Sequence, residues 1–320
     1  MRMNQKTPKS LPGGSLGRGR TTFEDGGRAM RRARVLKRLR RIGIKELGQV
    51  LDRTGTWLQR LRTPHPTTEK RPVFVVGCNR SGTNMMCKAI GRSRHGWDYP
   101  EREFSFAFNG YYLRSDRIVD RLIRLTPAPL VSFGCILDSQ STDDLLARFE
   151  GARAIWIYRR YQDVASSCAH MDWGPHLKDL VRWVARGETE RLGARGKRIS
   201  AETVRLFSEL FREDLSTEEG ACLYWYLRNQ LYFDLGLDTD PRVLLVQYED
   251  AVMDKERAFR WIFDFLGFPF EPGITGEVYE SSVGRYPWPG IDPAIERVCD
   301  ALQAKLDARY AGIGDRPTLP

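Results

Sequence analysis

Short, almost continuous apolar runs punctuate the chain, and between them apolar residues recur at helical spacing. Arg71-Pro72-Val73-Phe74-Val75-Val76-Gly77 has the length and β-branched character of a strand buried on both faces. Pro129-Leu130-Val131-Ser132-Phe133, Ala152 to Tyr158 and Arg242 to Tyr248 repeat the pattern. Met85 to Ile90, Asp144 to Phe149 and Asp163 to Ala169 carry helical spacing instead. Residues 217–236 predict a long amphipathic helix with Leu223, Tyr226, Leu227 and Leu231 on one side. Phe259, Ile262, Phe263 and Leu266 predict another, stopped by Gly267 and Pro269. Strands alternating with helices predict an α/β fold around a mainly parallel sheet flanked by helices. Ligands in such folds bind beyond the carboxyl ends of the strands.

The amino-terminal part is different. Residues 1–62 hold 17 Lys/Arg against 4 Asp/Glu, leaving 34 against 37 in the rest. The formal net charge of +10 therefore belongs to an arm on a slightly acidic body. Whole-chain basicity is then no argument for a nucleic-acid partner. Residues 1–27, with Pro8, Pro12 and a run from Gly13 to Gly19, read as a flexible basic tail. In residues 28–66, Val35, Leu36, Leu39, Ile42 and Leu47 recur at roughly helical spacing among arginines, before Pro64 and Pro66 close the segment. A helical arm of this kind suits docking on the body or homo-oligomerisation. It also suits peripheral contact with an anionic membrane through residues 28–62.

Residues 67–320 form the α/β domain in this reading, 320 residues being enough for one large domain plus the arm. The polar stretch 171–216 is either a lid or a solvated insertion. No apolar run reaches membrane-span length, and the first residues do not read as a secretory signal. The six cysteines and four histidines show no zinc spacing, so no metal is expected and a cytoplasmic, reducing location is the simplest reading.

Two segments carry candidate chemistry. Gly77-Cys78-Asn79-Arg80-Ser81-Gly82-Thr83-Asn84 joins a strand to a helix, the context in which loop amides and a helix dipole meet a phosphate. Arg80 adds charge and Thr83 a hydroxyl. A Walker-type loop has Lys followed by Ser/Thr after its second glycine; here Thr83 and Asn84 follow Gly82, which disfavours Mg-nucleotide hydrolysis. Arg159 stands at a strand end, and Ser167 lies eight residues later on a helix that Asp163 is placed to cap.

Taken together the two segments resemble the sulfotransferases that use 3′-phosphoadenosine 5′-phosphosulfate (PAPS). The first resembles their 5′-phosphosulfate loop, and Ile157 to Ser167 resembles the 3′-phosphate motif. Val246 to Asp250, Phe265 to Pro269, and the glycine-basic segment Val283-Gly284-Arg285-Tyr286 are similar to later family segments. The resemblance spans about residues 71–290 and implies a P-loop-type sheet. It also implies PAPS as donor, with 3′-phosphoadenosine 5′-phosphate (PAP) as product. It assigns Arg80, Ser81, Gly82, Thr83 and Asn84 to the 5′ side, and Arg159, Ser167 and Arg285 to the 3′-phosphate. Arg80 replaces a lysine common in the family. The Lys-Thr-His segment of the cytosolic small-phenol subgroup is missing, since Leu130 to Cys135 contains neither Lys nor His. Bacterial and glycan-directed relatives use a glutamate downstream of the first helix instead. Glu103, then Glu101, are the candidates for general base here, with Arg80 neutralising charge at the transferred group. The acceptor expected is a hydroxyl on a carbohydrate, glycolipid or other small metabolite. His95 and His170 are further candidates for the cleft, and the aromatic stretch from Trp97 to Tyr112 is either an acceptor wall or core. A kinase-like nucleotide-dependent transferase, or a non-catalytic nucleotide-binding module at a membrane, are the alternatives.

Overall fold

The computed structural model describes residues 69–313. The readings made for residues 1–27 and 28–66 lie outside the described residues.

In chain order the elements are β1 (Arg71–Gly77), α1 (Thr83–Arg92), β2 (Gly96–Tyr99), a hairpin of β3 (Phe108–Asn109) and β4 (Tyr112–Leu113), and α2 (Asp116–Leu125). Then come β5 (Leu130–Gly134), α3 (Thr142–Arg148), β6 (Arg153–Tyr158), α4 (Tyr161–Ala169), α5 (Leu177–Ala185), α6 (Ala201–Leu210) and α7 (Thr217–Asp234). The chain continues through β7 (Val243–Gln247), α8 (Tyr248–Met253), α9 (Lys255–Leu266) and α10 (Pro293–Ala311).

β2, β5, β1, β6 and β7 form one sheet in that order, and every pairing is parallel. The apolar runs explain why: Val73 to Val76 on β1 and Ile155 to Tyr158 on β6 are fully buried, as strands covered on both faces must be. β1 is central. The chain leaves it on one side for β2 and β5, and on the other for β6 and β7, so the order reverses between β1 and β6. A crevice opens at such a reversal, beyond the carboxyl ends of the two strands. Here Gly77 pairs with Ile157, which brings the loop after β1 beside Arg159.

α7 departs from the expected one-sided helix. It packs against α4, α5 and α10, so Tyr224, Trp225, Arg228, Asn229 and Tyr232 are buried along with the leucines. A Ser216–Glu219 capping box fixes its start. Segment 171–216 folds into α5, α6 and 3-10 turns, and buries Leu180, Val184, Leu192 and Phe207. The aromatic stretch divides: Phe108 is buried, Trp97 and Tyr99 are half-buried in β2, and Phe104, Phe106 and Tyr111 are exposed. Among the described residues no helix is long and apolar enough to cross a membrane.

Candidate functional site

The loop from Cys78 to Gly82 turns tightly because two of its residues adopt left-handed backbone. Gly82, at φ 95°, is the amino-terminal cap of α1, and no side chain caps that helix. The amides of its first turn therefore keep their hydrogen-bonding capacity, in a place where the helix dipole favours an anion. A Cβ on Gly82 would lie 2.4 Å from the Tyr248 ring. A Cβ on Gly77 would lie 2.3 Å from the Ile157 carbonyl oxygen, so β1 approaches β6 closely only because glycine is there. Arg80 has φ 67° without being glycine, which costs about 1–2 kcal/mol. Its surroundings hold it there: Arg80 Nε donates to Ser167 Oγ at 2.9 Å, and the Arg80 carbonyl accepts from Arg159 Nη1 at 3.2 Å.

Arg80, remote in sequence from Arg159 and Ser167, thus meets them in the crevice between β1 and β6. Ser167 is held by Arg80; its hydroxyl can still donate. Arg159 is only 5% exposed. Its Nη2 pairs with Asp163 at 3.2 Å and donates to the Ser282 carbonyl, and its guanidinium lies 4.6 Å from the centre of the Tyr248 ring. Among the described residues its buried Nε has no hydrogen-bond partner, nor has the buried Ser81 Oγ. Two orphaned polar atoms on buried side chains, beside uncapped helix amides, make a cradle whose unmet demand is for acceptor oxygens.

Asp163 does not cap α4 as expected. Arg160 occupies the cap position without a side-chain bond, and Asp163 turns to Arg159 and to the Gly284 amide (3.1 and 3.2 Å). Segment 282–284 is thereby fastened over Arg159. Arg285 is exposed, its guanidinium 5.4 Å from the Tyr286 ring centre; Tyr286 in turn stacks on His170 with centroids 3.9 Å apart. Thr83 is buried and Asn84 exposed on the first turn of α1.

The two glutamates have different surroundings. Glu103 is exposed, and among the described residues its backbone carbonyl accepts from Gly110 N. Glu101 is half-buried two residues past the end of β2 and beside Gly134 at the end of β5, and its Oε1 accepts from Leu137 N at 2.8 Å. Burial pushes its carboxyl up to about 7, against the pull of the Leu137 amide. Asp138, whose Oδ2 accepts from Leu113 N at 2.9 Å, is likewise pushed up by burial to about 6. The loop carrying Leu137 and Asp138 reaches the end of β1: Gly77 N donates to Ser139 Oγ at 3.0 Å. His95 lies at the opposite end, before β2, near Glu271 and Phe268.

Sequence reasoning missed several groups. Tyr248 packs on Gly82 and under Arg159; its place at the end of β7 was the available signal. Arg228 and Tyr224 reach the site from α7, and nothing in a helix sequence marks a buried arginine as inward-facing. Among the described residues, no group of three or more His, Cys, Asp or Glu is arranged to hold a metal ion.

No family model matches the chain, and no curated protein matches it. Among solved structures it is similar to the sulfotransferase domain from the curacin biosynthetic pathway, with 16% identity and a TM-score of 0.48, over 73% of this chain and 98% of that one. It is also similar to a sulfotransferase from Alicyclobacillus acidocaldarius, with 17% identity and a TM-score of 0.42, over 78% and 96% of the two chains. A third is mouse sulfotransferase SULT7A1 complexed with PAP, with 15% identity and a TM-score of 0.37, over 80% and 92%.

Proposed function

We propose that the chain transfers a sulfuryl group from PAPS to an acceptor hydroxyl, on a carbohydrate, glycolipid or other small metabolite. The observation that carries this reading is the meeting of Arg80, Ser167 and Arg159 beside the uncapped start of α1. A donor with phosphates at both ends of its nucleoside needs two anion grips, and this cradle has cations and donors for both.

The donor supplies the sulfuryl group and a phosphate leaving group. The Ser81 hydroxyl and the amides of Gly82 to Asn84, with the Arg80 guanidinium, hold the 5′ phosphosulfate and stabilise charge as it shifts onto the leaving phosphate. Arg159, through its unpartnered Nε, and Ser167, through its hydroxyl proton, hold the 3′-phosphate. Arg285 lies close enough along the chain to segment 282–284 to join them. Protein cations take the charge-neutralising role here, so the scheme requires no metal.

Proton acceptance goes to Glu101 ahead of Glu103. Glu101 is oriented by the Leu137 amide of the loop whose Ser139 hydroxyl accepts from Gly77 N at the end of β1, and has a proton affinity matched to neutral pH, which is what efficient general base catalysis asks for. Six buried cysteines with no disulfide among them suit a reducing, cytoplasmic setting.

The test is transfer of ³⁵S from labelled PAPS to a panel of sugar, glycolipid and phenol hydroxyls, with and without EDTA. Transfer to at least one acceptor, undiminished by chelation, is expected. Transfer from ATP under magnesium, with none from PAPS, would replace this reading with the kinase-like one.

A further inference from the structure

Within six residues, α7 braces all three strand-end loops of the site. Tyr224 OH donates to Asn79 Oδ1 in the loop after β1. Trp225 Nε1 donates to the Arg159 carbonyl at 2.9 Å, and Asn229 Oδ1 accepts from Trp156 Nε1 at 3.4 Å, both on β6 or its end. Arg228 reaches the loop after β5: Nη2 donates to the Ile136 carbonyl and Nη1 to Gln140 Oε1 at 3.2 Å.

Arg228 is the unusual member. It is 1% exposed, and among the described residues its Nε has no hydrogen-bond partner and no carboxylate lies within ion-pair distance of it. A buried guanidinium with no carboxylate in direct contact is expensive, and a neutral amide would satisfy the same two acceptors at lower cost. The position of its main bond gives the charge a use. The Ile136 carbonyl and the Leu137 N–H belong to one peptide group. Arg228 donates to the oxygen of that group, and its N–H donates to Glu101 Oε1. A cation on the carbonyl draws electron density through the peptide and strengthens the N–H as a donor. The three groups form one chain of polarised hydrogen bonds: guanidinium, peptide, carboxylate.

We propose that Arg228 is a positioning residue for Glu101, which it supports through the peptide group 136–137 and by its own charge, beside the Ile136 amide as a second donor to the same carboxyl. The inference rests on the sulfuryl-transfer reading only for the use to which Glu101 is put. The titratable groups facing Glu101 are Asp138 and Cys135 from the loop after β5, and Arg228 from α7. Arg228 holds both carboxyls lower than burial alone would leave them; Asp138 acts on Glu101 in the other direction.

The experiment is a carboxyl titration by NMR on the full chain carrying [5-¹³C]glutamate, with the Glu101 signal identified by its loss in Glu101→Gln. Arg228→Met is expected to raise the Glu101 midpoint by about one unit, and Arg228→Lys by less. An unmoved midpoint in folded Arg228→Met overturns the proposal. Should that variant not fold, the wild type decides: the Arg228 guanidinium ¹⁵N shifts must titrate with the Glu101 midpoint, and that transition must vanish in Glu101→Gln. Flat guanidinium shifts overturn the proposal equally. PAP titrated calorimetrically into the same samples keeps the two readings apart. Binding within about twofold in wild type and Arg228→Lys is expected. Absent PAP binding in the wild type defeats the donor assignment while leaving the relay to be judged by the NMR result. More than tenfold weaker binding in Arg228→Lys assigns Arg228 to the donor site instead and overturns the positioning role.

Discussion

Replacing Glu101 by Gln should change how stability depends on pH, with a size and sign set by the burial of one carboxyl. In the folded chain that carboxyl is raised from 4.5 to about 7. A group whose folded value is raised adds stability while protonated and loses it as pH rises through the folded value. Over the interval from pH 5 to pH 8 the wild type therefore loses about 2–3 kcal/mol through this group alone, at 1.36 kcal/mol per unit. Glu101→Gln cannot ionise and escapes that loss. The amide oxygen keeps the Leu137 bond as the protonated carboxyl does, so the two proteins differ least at pH 5. The assay is urea unfolding of both proteins at pH 5 and pH 8. The difference between them should move in favour of the variant by about 2 kcal/mol over that interval. Parallel pH dependence in the two proteins would refute the account of Glu101 as a buried carboxyl, and with it its selection as the base.

Gly77→Ala drives a Cβ into the Ile157 carbonyl at a φ of 132°, and should cost about 3 kcal/mol in thermal or urea unfolding while abolishing PAP binding. All six cysteines are buried and none is in a disulfide, so native protein should react slowly with a thiol reagent and titrate six thiols only when denatured. Activity limited by Glu101 should rise with pH through about 7, since the base must be unprotonated, and Glu101→Gln should lower kcat by about 10²-fold or more while Glu103→Gln leaves it near normal. For the basic arm, co-sedimentation with phosphatidylserine vesicles should fall when residues 1–62 are removed; equal retention would assign the arm to another role.

The main sheet was legible because its strands are buried on both faces, which leaves unbroken apolar runs at β1, β5, β6 and β7. β2 escaped notice: it is four residues long, with Asp98 at its centre. α7 was read correctly in extent but not in surroundings, since burial on nearly all sides lets Arg228 and Asn229 sit among leucines without disturbing the helical spacing. The anion loops were visible as local order, strand then glycine turn then helix. Their meeting was not. The eight-residue spacing of Arg159 and Ser167 suggested one shared grip, whereas the left-handed turn at Arg80 brings a third residue between them. Glu101 and Glu103 looked alike from local sequence. What separates them is an amide 36 residues further along, supplied by a loop whose position depends on the pairing of β5 with β1.

The central claim is that this crevice recognises a nucleotide by phosphates at both ends. Isothermal titration of PAP against adenosine 5′-phosphate, which lacks the 3′-phosphate, tests it most directly. Two or three charge-assisted hydrogen bonds from Arg159 and Ser167 should favour PAP by about 10²-fold, a preference that Arg159→Ala should remove. Equal affinity for the two nucleotides in the wild type would contradict the account.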